Sequence, residues 1–292
     1  MKYQYLQNAA QNAADIVILP IAYEGSVSAK VGTKDAPKAI LEASNQLEYY
    51  DEDMDYSPMK HLSVCVKKQI QNVANIDLKE LNTGQLLITL GGDHSITPFV
   101  TQEVLKQGST VVFLDAHADL RSSYEGDKYS HATPAFHLLK QGHKLVMAGV
   151  RSLFEKEAER IKVDKNITYF SDRSLQKKSK KEEFLNVLRS LEGDVYLSID
   201  MDVFDPACVP SVGTPQQGGF GYYFATDILE ALFFNKNIRV VGVDIVELIP
   251  ELSTVSQTFA AKLLQKTISY WGKAQGFDTR EMNGAQTKME YE

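Results

Sequence analysis

Residues 110–119 read Thr110-Val111-Val112-Phe113-Leu114-Asp115-Ala116-His117-Ala118-Asp119, an apolar run that ends in three polar side chains at alternate positions. The apolar half predicts a buried β-strand, because β-branched and aromatic residues favour that conformation. In an extended chain every second side chain points to the same face. Asp115, His117 and Asp119 would then cluster at a strand end. Buried carboxylates this close destabilise each other unless a cation compensates them, so the stretch predicts a metal site.

Similar apolar runs recur along the chain and alternate with helical patterns. Strands are predicted at 16–22, 85–90, 144–150, 195–199 and 239–246, and helices at 37–44, 97–107, 132–140, 180–191, 227–234 and 254–271. This alternation predicts an α/β fold, a three-layer α/β/α sandwich with a mostly parallel sheet. No repeat or Ser/Pro-rich linker divides the chain. We therefore expect a single domain over residues 1–292, with a loosely held polar tail from about residue 276.

Composition argues against several classes of protein. The net charge of -7 disfavours nucleic acid as a partner, since phosphate contacts need a basic face. No segment is long and apolar enough to span a bilayer, and the first residues lack the apolar core of a signal peptide. Cys65 and Cys208 form no CxxC or zinc-knuckle pattern and indicate a reducing compartment. We expect a cytoplasmic protein that binds neither nucleic acid nor membranes.

Further candidate ligands follow other predicted strands. Asp200 and Asp202 come after the run Tyr196-Leu197-Ser198-Ile199, and His94 follows Gly91-Gly92-Asp93. The carboxyl ends of parallel strands meet at one edge of a sheet, where ligand sites form. We therefore predict a single site of four carboxylates and two imidazoles, made of His94, Asp115, His117, Asp119, Asp200 and Asp202.

The residue types narrow the choice of metal. Four aspartates balance two divalent cations, and a water that bridges two such ions ionises near neutral pH. Oxygen-rich sites with imidazole and no thiolate favour Mn²⁺, with Co²⁺ and Ni²⁺ as competitors. Alone, an Asp-x-Asp pair is more typical of a turn or helix cap, but the coincidence of three motifs favours a metal site. We expect Asp93 to be structural or to support a ligand, and His61, His137 and His143 to lie at the surface or in packing.

Three motifs resemble the signatures of the ureohydrolases, the superfamily that contains the arginases and agmatinases. They are Gly-Gly-Asp-His-Ser at 91–95, Asp-Ala-His-Ala-Asp at 115–119 and Ser-Ile-Asp-Met-Asp-Val-Phe-Asp-Pro-Ala at 198–207. The resemblance implies the arginase/deacetylase-type sandwich, assembly into a homo-oligomer (trimer or hexamer), and two Mn²⁺ ions per chain. The implied ligands are His94, Asp115, Asp119 and Asp200 for one ion, and Asp115, His117, Asp200 and Asp202 for the other.

The resemblance also implies catalytic roles. Glu247, just after the predicted strand 239–246, resembles the carboxylate that anchors the substrate's guanidinium group; alone, it would be read as a solvated strand-end charge. His131 resembles the family's proton-shuttling histidine, and its side chain changes charge near neutral pH. A helix cap or surface residue is the alternative for His131. Asp119 would accept a hydrogen bond from the attacking hydroxide.

The loop after the metal motif bears on the substrate. Residues 120–131 lack the asparagine of the Ser-x-Asn pattern by which arginases hold arginine, and they resemble the agmatinase loop, as do residues 24–28 and 212–219. Agmatine is a small cationic guanidine that suits an acidic protein. We expect hydrolysis of agmatine to putrescine and urea, a step of polyamine biosynthesis. The alternatives are aminopropylagmatine, guanidinobutyrate or arginine as substrate, and a catalytically silent, metal-binding oligomeric scaffold.

Overall fold

The described part of the chain forms one sheet of eight parallel strands. The structure is a computed structural model and describes residues 1–4, 6 and 8–281. The strands are β1 (Ile16–Pro20), β2 (Val64–Val66), β3 (Leu86–Leu90), β4 (Thr110–Leu114), β5 (Lys144–Val150), β6 (Ile167–Ser171), β7 (Gly193–Asp200) and β8 (Ile238–Val246). Their spatial order is β2-β1-β3-β8-β7-β4-β5-β6. The predicted parallel sheet is confirmed.

Helices cover both faces of the sheet, as predicted. They are α1 (Ala36–Ser44), α2 (Pro58–His61), α3 (Thr97–Val104), α4 (Pro134–Lys140), α5 (Glu155–Val163), α6 (Asp172–Leu175), α7 (Lys178–Arg189), α8 (Tyr222–Phe233) and α9 (Val255–Ala274). Helices α3, α4 and α5 pack on one face, and the others on the opposite face. Among the helices of the described residues, none is long and apolar enough to cross a membrane.

Strand residues alternate between the two apolar cores that lie on the faces of the sheet. In β4, Val112 and Leu114 join the core under α7, α8 and α9, while Val111 and Phe113 join the core under α3 and α4. Fully burying such a side chain stabilises the fold by about 1.5–3 kcal/mol. A strand buried on both faces must be apolar throughout, which explains why the strand signal was so clear in the sequence.

Several elements were not predicted. Strands β2 and β6 lie at the two edges of the sheet, and β6 mixes polar with apolar residues because it is only half-buried. Glu157 is the one fully buried residue of helix α5. The helix therefore needs no apolar stripe, and its sequence shows no apolar helical pattern. The expected loose tail is wrong for its first residues, since the Phe277 ring lies 5.3 Å from that of Trp271 and Arg280 pairs with Asp15. Residues 282–292 of that tail lie outside the described residues.

The order of the strands brings the predicted site residues together. The four central neighbours β3, β8, β7 and β4 all end at the same edge of the sheet. His94, Glu247, Asp200 and Asp115 lie at or just beyond the carboxyl ends of these strands, in that order. A parallel α/β sheet opens a crevice at this edge, and the site lies there.

Candidate metal centre

All six predicted ligands converge in two overlapping groups. His94 Nδ1 lies 3.2 Å from Asp115 Oδ2, 3.2 Å from Asp200 Oδ2 and 3.5 Å from Asp119 Oδ2. His117 Nδ1 lies 2.9 Å from Asp202 Oδ2 and 3.6 Å from Asp115 Oδ1. Asp115 therefore belongs to both groups and is placed to bridge two cations.

The tightest sets of ligand atoms support this division. One ligand atom each from His94, Asp115 and Asp200 lie within 4.8 Å of one another, and so do atoms from Asp115, His117 and Asp202. These spacings fit one cation in each group. At this distance Asp200 belongs only to the first group. The geometry therefore supports the expected bridging position of Asp115 more strongly than that of Asp200.

Backbone amides orient the carboxylates. Asp115 Oδ1 accepts a hydrogen bond from the amide of His117 (2.6 Å), and Asp200 Oδ1 accepts one from Asp202 (2.8 Å). Asp202 Oδ1 accepts one from Ala116 (3.1 Å). The second oxygen of each carboxylate faces an imidazole, and Asp115 Oδ1 also lies 3.6 Å from His117 Nδ1. The amide bonds thus fix the side chains, with oxygens left facing the imidazoles, where a cation could bind.

A buried chain of hydroxyl and carboxyl groups fixes the tautomer of His94. Ser198 Oγ donates a hydrogen bond to Asp244 Oδ1 (2.7 Å), and Thr97 Oγ1 donates to Asp244 Oδ2 (2.8 Å). Ser198 Oγ is therefore left to accept from His94 Nε2, 2.8 Å away. The proton of a neutral His94 then resides on Nε2, and the Nδ1 lone pair faces the carboxylates, as metal ligation requires.

The electrostatics of the site show a strong excess of negative charge. Burial raises the pKa of Asp119 and of Asp200 well above its usual value, and neighbouring carboxylates raise both further. Burial opposes the protonation of the imidazoles, yet contacts with Asp115 dominate and raise the pKa of His94 to about 9 and that of His117 to about 12. The same imidazoles overcome the effect of burial on Asp115 and lower its pKa. The site therefore favours added positive charge, which divalent cations would supply.

An incompletely satisfied atom supports the fit to a cation. Asp115 Oδ2 is buried, and among the described residues its ion-pair contact is His94 Nδ1 at 3.2 Å, with no hydrogen bond of good geometry. A buried carboxylate oxygen left without a hydrogen bond costs about 1–3 kcal/mol or more. A cation bound between Asp115, His94 and Asp200 would satisfy this atom, so the donor set fits a divalent metal.

Two site residues have left-handed backbone conformations. Asp119 has φ 50° and Glu247 has φ 65°, and each costs roughly 1–2 kcal/mol for a residue with a Cβ. The expectation that residues 115–119 are extended throughout is therefore wrong, because β4 ends at Leu114 and the chain bends to bring Asp119 back. Asp200 serves as a cap as well, since it accepts from the amide of Asp202. The capping interpretation of the Asp-x-Asp pair is confirmed, and its role as a metal ligand stays a prediction.

Glu247 and His131 border the same cavity, which has a volume of about 280 Å³. Glu247 Oε1 accepts a hydrogen bond from the amide of His94 (2.6 Å), and burial, with the nearby charge of Asp93, raises its pKa to about 8. His131 Nδ1 lies 2.7 Å from Ser26 Oγ, and Nε2 lies 2.7 Å from Ser28 Oγ. Burial lowers the pKa of His131. The interpretations of Glu247 as a solvated charge and of His131 as a surface residue do not fit these contacts.

The histidines expected outside the site lie outside it. His137 stacks on Tyr129, and His143 is buried beside a separate cleft between α3 and α4. His61 bonds the carbonyl of Arg280. Asp93 is structural, as expected, since its carboxylate caps the turn at His94 and accepts from the amide of Ser95 (3.0 Å).

Two supporting features were missed in the sequence. The Arg151 guanidinium donates to five backbone carbonyls around the site, including those of Asp202 (2.7 Å) and Gln216 (3.1 Å). Arg151 therefore holds the loop that carries Asp202 in place. The second missed feature is the support that Ser198 and Asp244 give to His94. The sequence does contain a signal for it, because both are polar residues inside strands that are otherwise apolar.

Comparisons with known proteins identify the family. The signature of the Arginase family matches residues 14–269. The chain is 33% identical to the N(1)-aminopropylagmatine ureohydrolase of Synechocystis sp., covering 93% of this chain and 95% of that protein. It is 35% identical to the agmatinase of Pyrococcus horikoshii, covering 86% and 90%. The crystal structure of the agmatine ureohydrolase of Thermoplasma volcanium superposes with a TM-score of 0.79 at 27% identity, covering 92% and 93%. The chain therefore belongs to the Arginase family, as an agmatinase-like ureohydrolase.

Proposed function

We propose that this enzyme hydrolyses agmatine to putrescine and urea. The observation that carries the proposal is the placement of two ligand groups, Glu247 and His131 around one cavity. Carboxylates attract a cationic guanidine, and several carboxylates line this cavity. The loop formed by residues 120–131 resembles that of agmatinases, and the relative from Pyrococcus horikoshii carries that name.

The metal pair is proposed as two Mn²⁺ ions, with Co²⁺ or Ni²⁺ as possible replacements. The donors are carboxylate oxygens and imidazole nitrogens without thiolates, a set that suits Mn²⁺. His94, Asp115, Asp119 and Asp200 would hold one ion, and Asp115, His117, Asp200 and Asp202 the other. When bound, such ions supply Lewis acidity and lower the pKa of water.

Glu247 is proposed to hold the guanidinium group. Its Oε1 is engaged by the amide of His94, which fixes the orientation of the carboxylate. The other oxygen would accept from the planar cation through a charge-assisted hydrogen bond. The left-handed backbone at Glu247 stores strain for this placement.

Asp119 and His131 are proposed to handle protons. Asp119 accepts a hydrogen bond from the attacking water and directs a lone pair at the guanidinium carbon. The bond from that carbon to the alkylated nitrogen then breaks, and His131 supplies one proton to the departing amine. Of the two protons that the water loses as its oxygen bonds to carbon, one becomes the amine's second proton and the other returns to His131. One water is consumed, and the products are urea and an alkylammonium ion. Metal-loaded His131→Asn should release urea about 10²-fold or more slowly than the wild-type protein.

N(1)-aminopropylagmatine is the second candidate substrate. Relatives from Synechocystis sp. and Thermus thermophilus are named for it, at 33% identity and with nearly complete coverage. The cavity rim also offers exposed apolar surface at Leu153 and Phe154, against which a longer alkyl chain could pack. The additional aminopropyl group of this substrate would extend past the rim.

A substrate panel distinguishes the candidates. Urea release from agmatine, aminopropylagmatine, guanidinobutyrate and arginine is measured with manganese supplied. We expect the highest kcat/KM with agmatine; faster turnover of another guanidine would replace agmatine as the substrate. No urea from any of the four would favour the scaffold hypothesis. We further propose a single-domain, cytoplasmic homo-oligomer, a trimer or hexamer, which analytical ultracentrifugation can test.

A further inference from the structure

The loop that faces His131 is held rigidly beside a predicted metal ligand. Asp93 Oδ2 accepts hydrogen bonds from the amides of Gly25 (2.5 Å) and Ser26 (3.2 Å). The amide of Asp93 in turn donates to the carbonyl of Tyr23 (3.0 Å). A Cβ atom at Gly92 would lie 1.8 Å from that carbonyl oxygen, so the approach requires glycine. The position of the loop is therefore fixed by the residue next to His94.

The far end of the loop is fixed as well. The Glu24 carboxylate accepts from the amides of Gly32 (2.5 Å) and Thr33 (2.7 Å), and from Thr33 Oγ1 (3.0 Å). These bonds close residues 24–33 into a compact unit. Ser26 and Ser28, which lie between the two attachments, are held at defined positions against His131.

The two serines contact opposite nitrogens of the imidazole. Ser26 Oγ accepts from the amide of His131 (2.8 Å) and lies 2.7 Å from Nδ1, while Ser28 Oγ lies 2.7 Å from Nε2. A hydroxyl group can donate or accept, so the pair can serve the neutral and the protonated ring. Ser28 lines the cavity, and its hydroxyl also reaches Tyr124 Oη at 3.3 Å.

We propose that Ser28 relays the proton from His131 to the departing amine. The Nε2–H bond of the protonated ring breaks and a new O–H bond forms at Ser28 Oγ, while the original hydroxyl proton moves to the amine nitrogen. Serine ends with one proton, as it began, and His131 ends neutral. Ser26 accepts from Nδ1–H and stabilises the charged ring. This inference rests on the role of His131 given under the proposed function.

The test compares four variants during urea release from the best substrate of the panel. Ser28→Ala should lower kcat about 10- to 100-fold with KM changed less than about twofold, since a relay contributes only in the proton-transfer step. Ser28→Thr, which keeps the hydroxyl, should restore most of the rate. Ser26→Ala should shift the pH dependence of kcat, because it removes the acceptor of the charged ring. Ser179→Ala, at an exposed serine of α7 outside the cavity lining, should behave as the wild-type protein.

A solvent isotope measurement separates a relay from a purely structural role. The wild-type kcat should fall in D₂O with a dependence on the D₂O fraction that requires two transferred protons, and Ser28→Ala should require one. A Ser28→Ala enzyme with wild-type kcat, or with an unchanged isotope dependence, would overturn the relay while leaving the proposed function intact. If the wild-type protein releases no urea, the proposed function and the relay are both refuted. If His131→Asn is fully active, the role of His131 and the relay are refuted while the proposed hydrolysis stands.

Discussion

Removal of divalent cations should make the stability of this protein fall as the pH rises. The folded site raises the pKa of Glu247 from 4.5 to about 8 and that of His94 from 6.5 to about 9. A raised pKa means that the folded protein retains a proton which the unfolded chain releases. The resulting stability is complete below the unfolded pKa and is lost as the pH rises through the folded pKa. For Glu247 alone this amounts to roughly 1.4 kcal/mol per pH unit between these values.

The window from pH 6.5 to pH 8 gives the clearest effect. Across it the Glu247 contribution falls by roughly 2 kcal/mol, and His94 adds to the loss because its unfolded pKa lies at the lower limit. For a protein of this size roughly 2 kcal/mol corresponds to a Tm lower by about 3 °C. Bound cations replace the protons, so the metal-loaded protein should show little of this decline.

Thermal unfolding followed by circular dichroism measures the effect. Chelator-treated protein is compared at the two pH values with protein reloaded with Mn²⁺, and Glu247→Gln serves as the matched variant. The variant cannot ionise and should lose the share of the pH dependence assigned to Glu247. A Tm of the metal-free protein that stays constant or rises from pH 6.5 to pH 8 would refute the reasoning.

Three further predictions concern individual side chains. Glu247→Gln should lower kcat/KM for agmatine about 100-fold in steady-state urea assays, since it removes a charge-assisted bond worth about 3 kcal/mol; an unchanged value would exclude the anchoring role. Lys266→Met should lower the free energy of unfolding in urea by about 3–5 kcal/mol, because it removes the cation that pairs with the buried Asp51 carboxylate. The control Lys262→Met, at an exposed ion pair, should change it by less than about 1 kcal/mol, and equal effects would contradict this. The Arg121 guanidinium lies at the cavity mouth between two aromatic rings, without a carboxylate partner among the described residues. Its charge repels the cationic tail of agmatine and attracts the carboxylate of guanidinobutyrate, so Arg121→Gln should raise kcat/KM for agmatine about fivefold and lower it for guanidinobutyrate. Changes in the same direction for both substrates would count against a charge effect.

The central strands and the ligands were predictable because their signals are local. A strand buried on both faces needs a continuous apolar run, and β4 and β5 begin and end where the sequence places them. Ligands just beyond such runs meet at one sheet edge whatever the lengths of the connecting loops. This explains why six ligands that are up to about 100 residues apart could be grouped before the structure was known.

The features that the sequence did not predict depend on the tertiary structure. Edge strand β6 is half-polar because one side of it lacks a neighbouring strand, and α5 presents a mostly charged surface. The bend that returns Asp119 to the site depends on contacts of the following residue, whose amide donates to Glu157 Oε1 (2.9 Å). The contacts of Ser28 and Arg151 likewise join segments far apart in the sequence. Local patterns carry no information about such partners.

Metal content tests the central claim most directly. Protein loaded with Mn²⁺ and dialysed would be analysed for metal per chain, together with His117→Ala. We predict about two ions per chain for the wild-type protein and about one for the variant, because His117 belongs to only one ligand group. A wild-type content well below one ion per chain, or equal contents in the two proteins, would contradict a binuclear site built on Asp115.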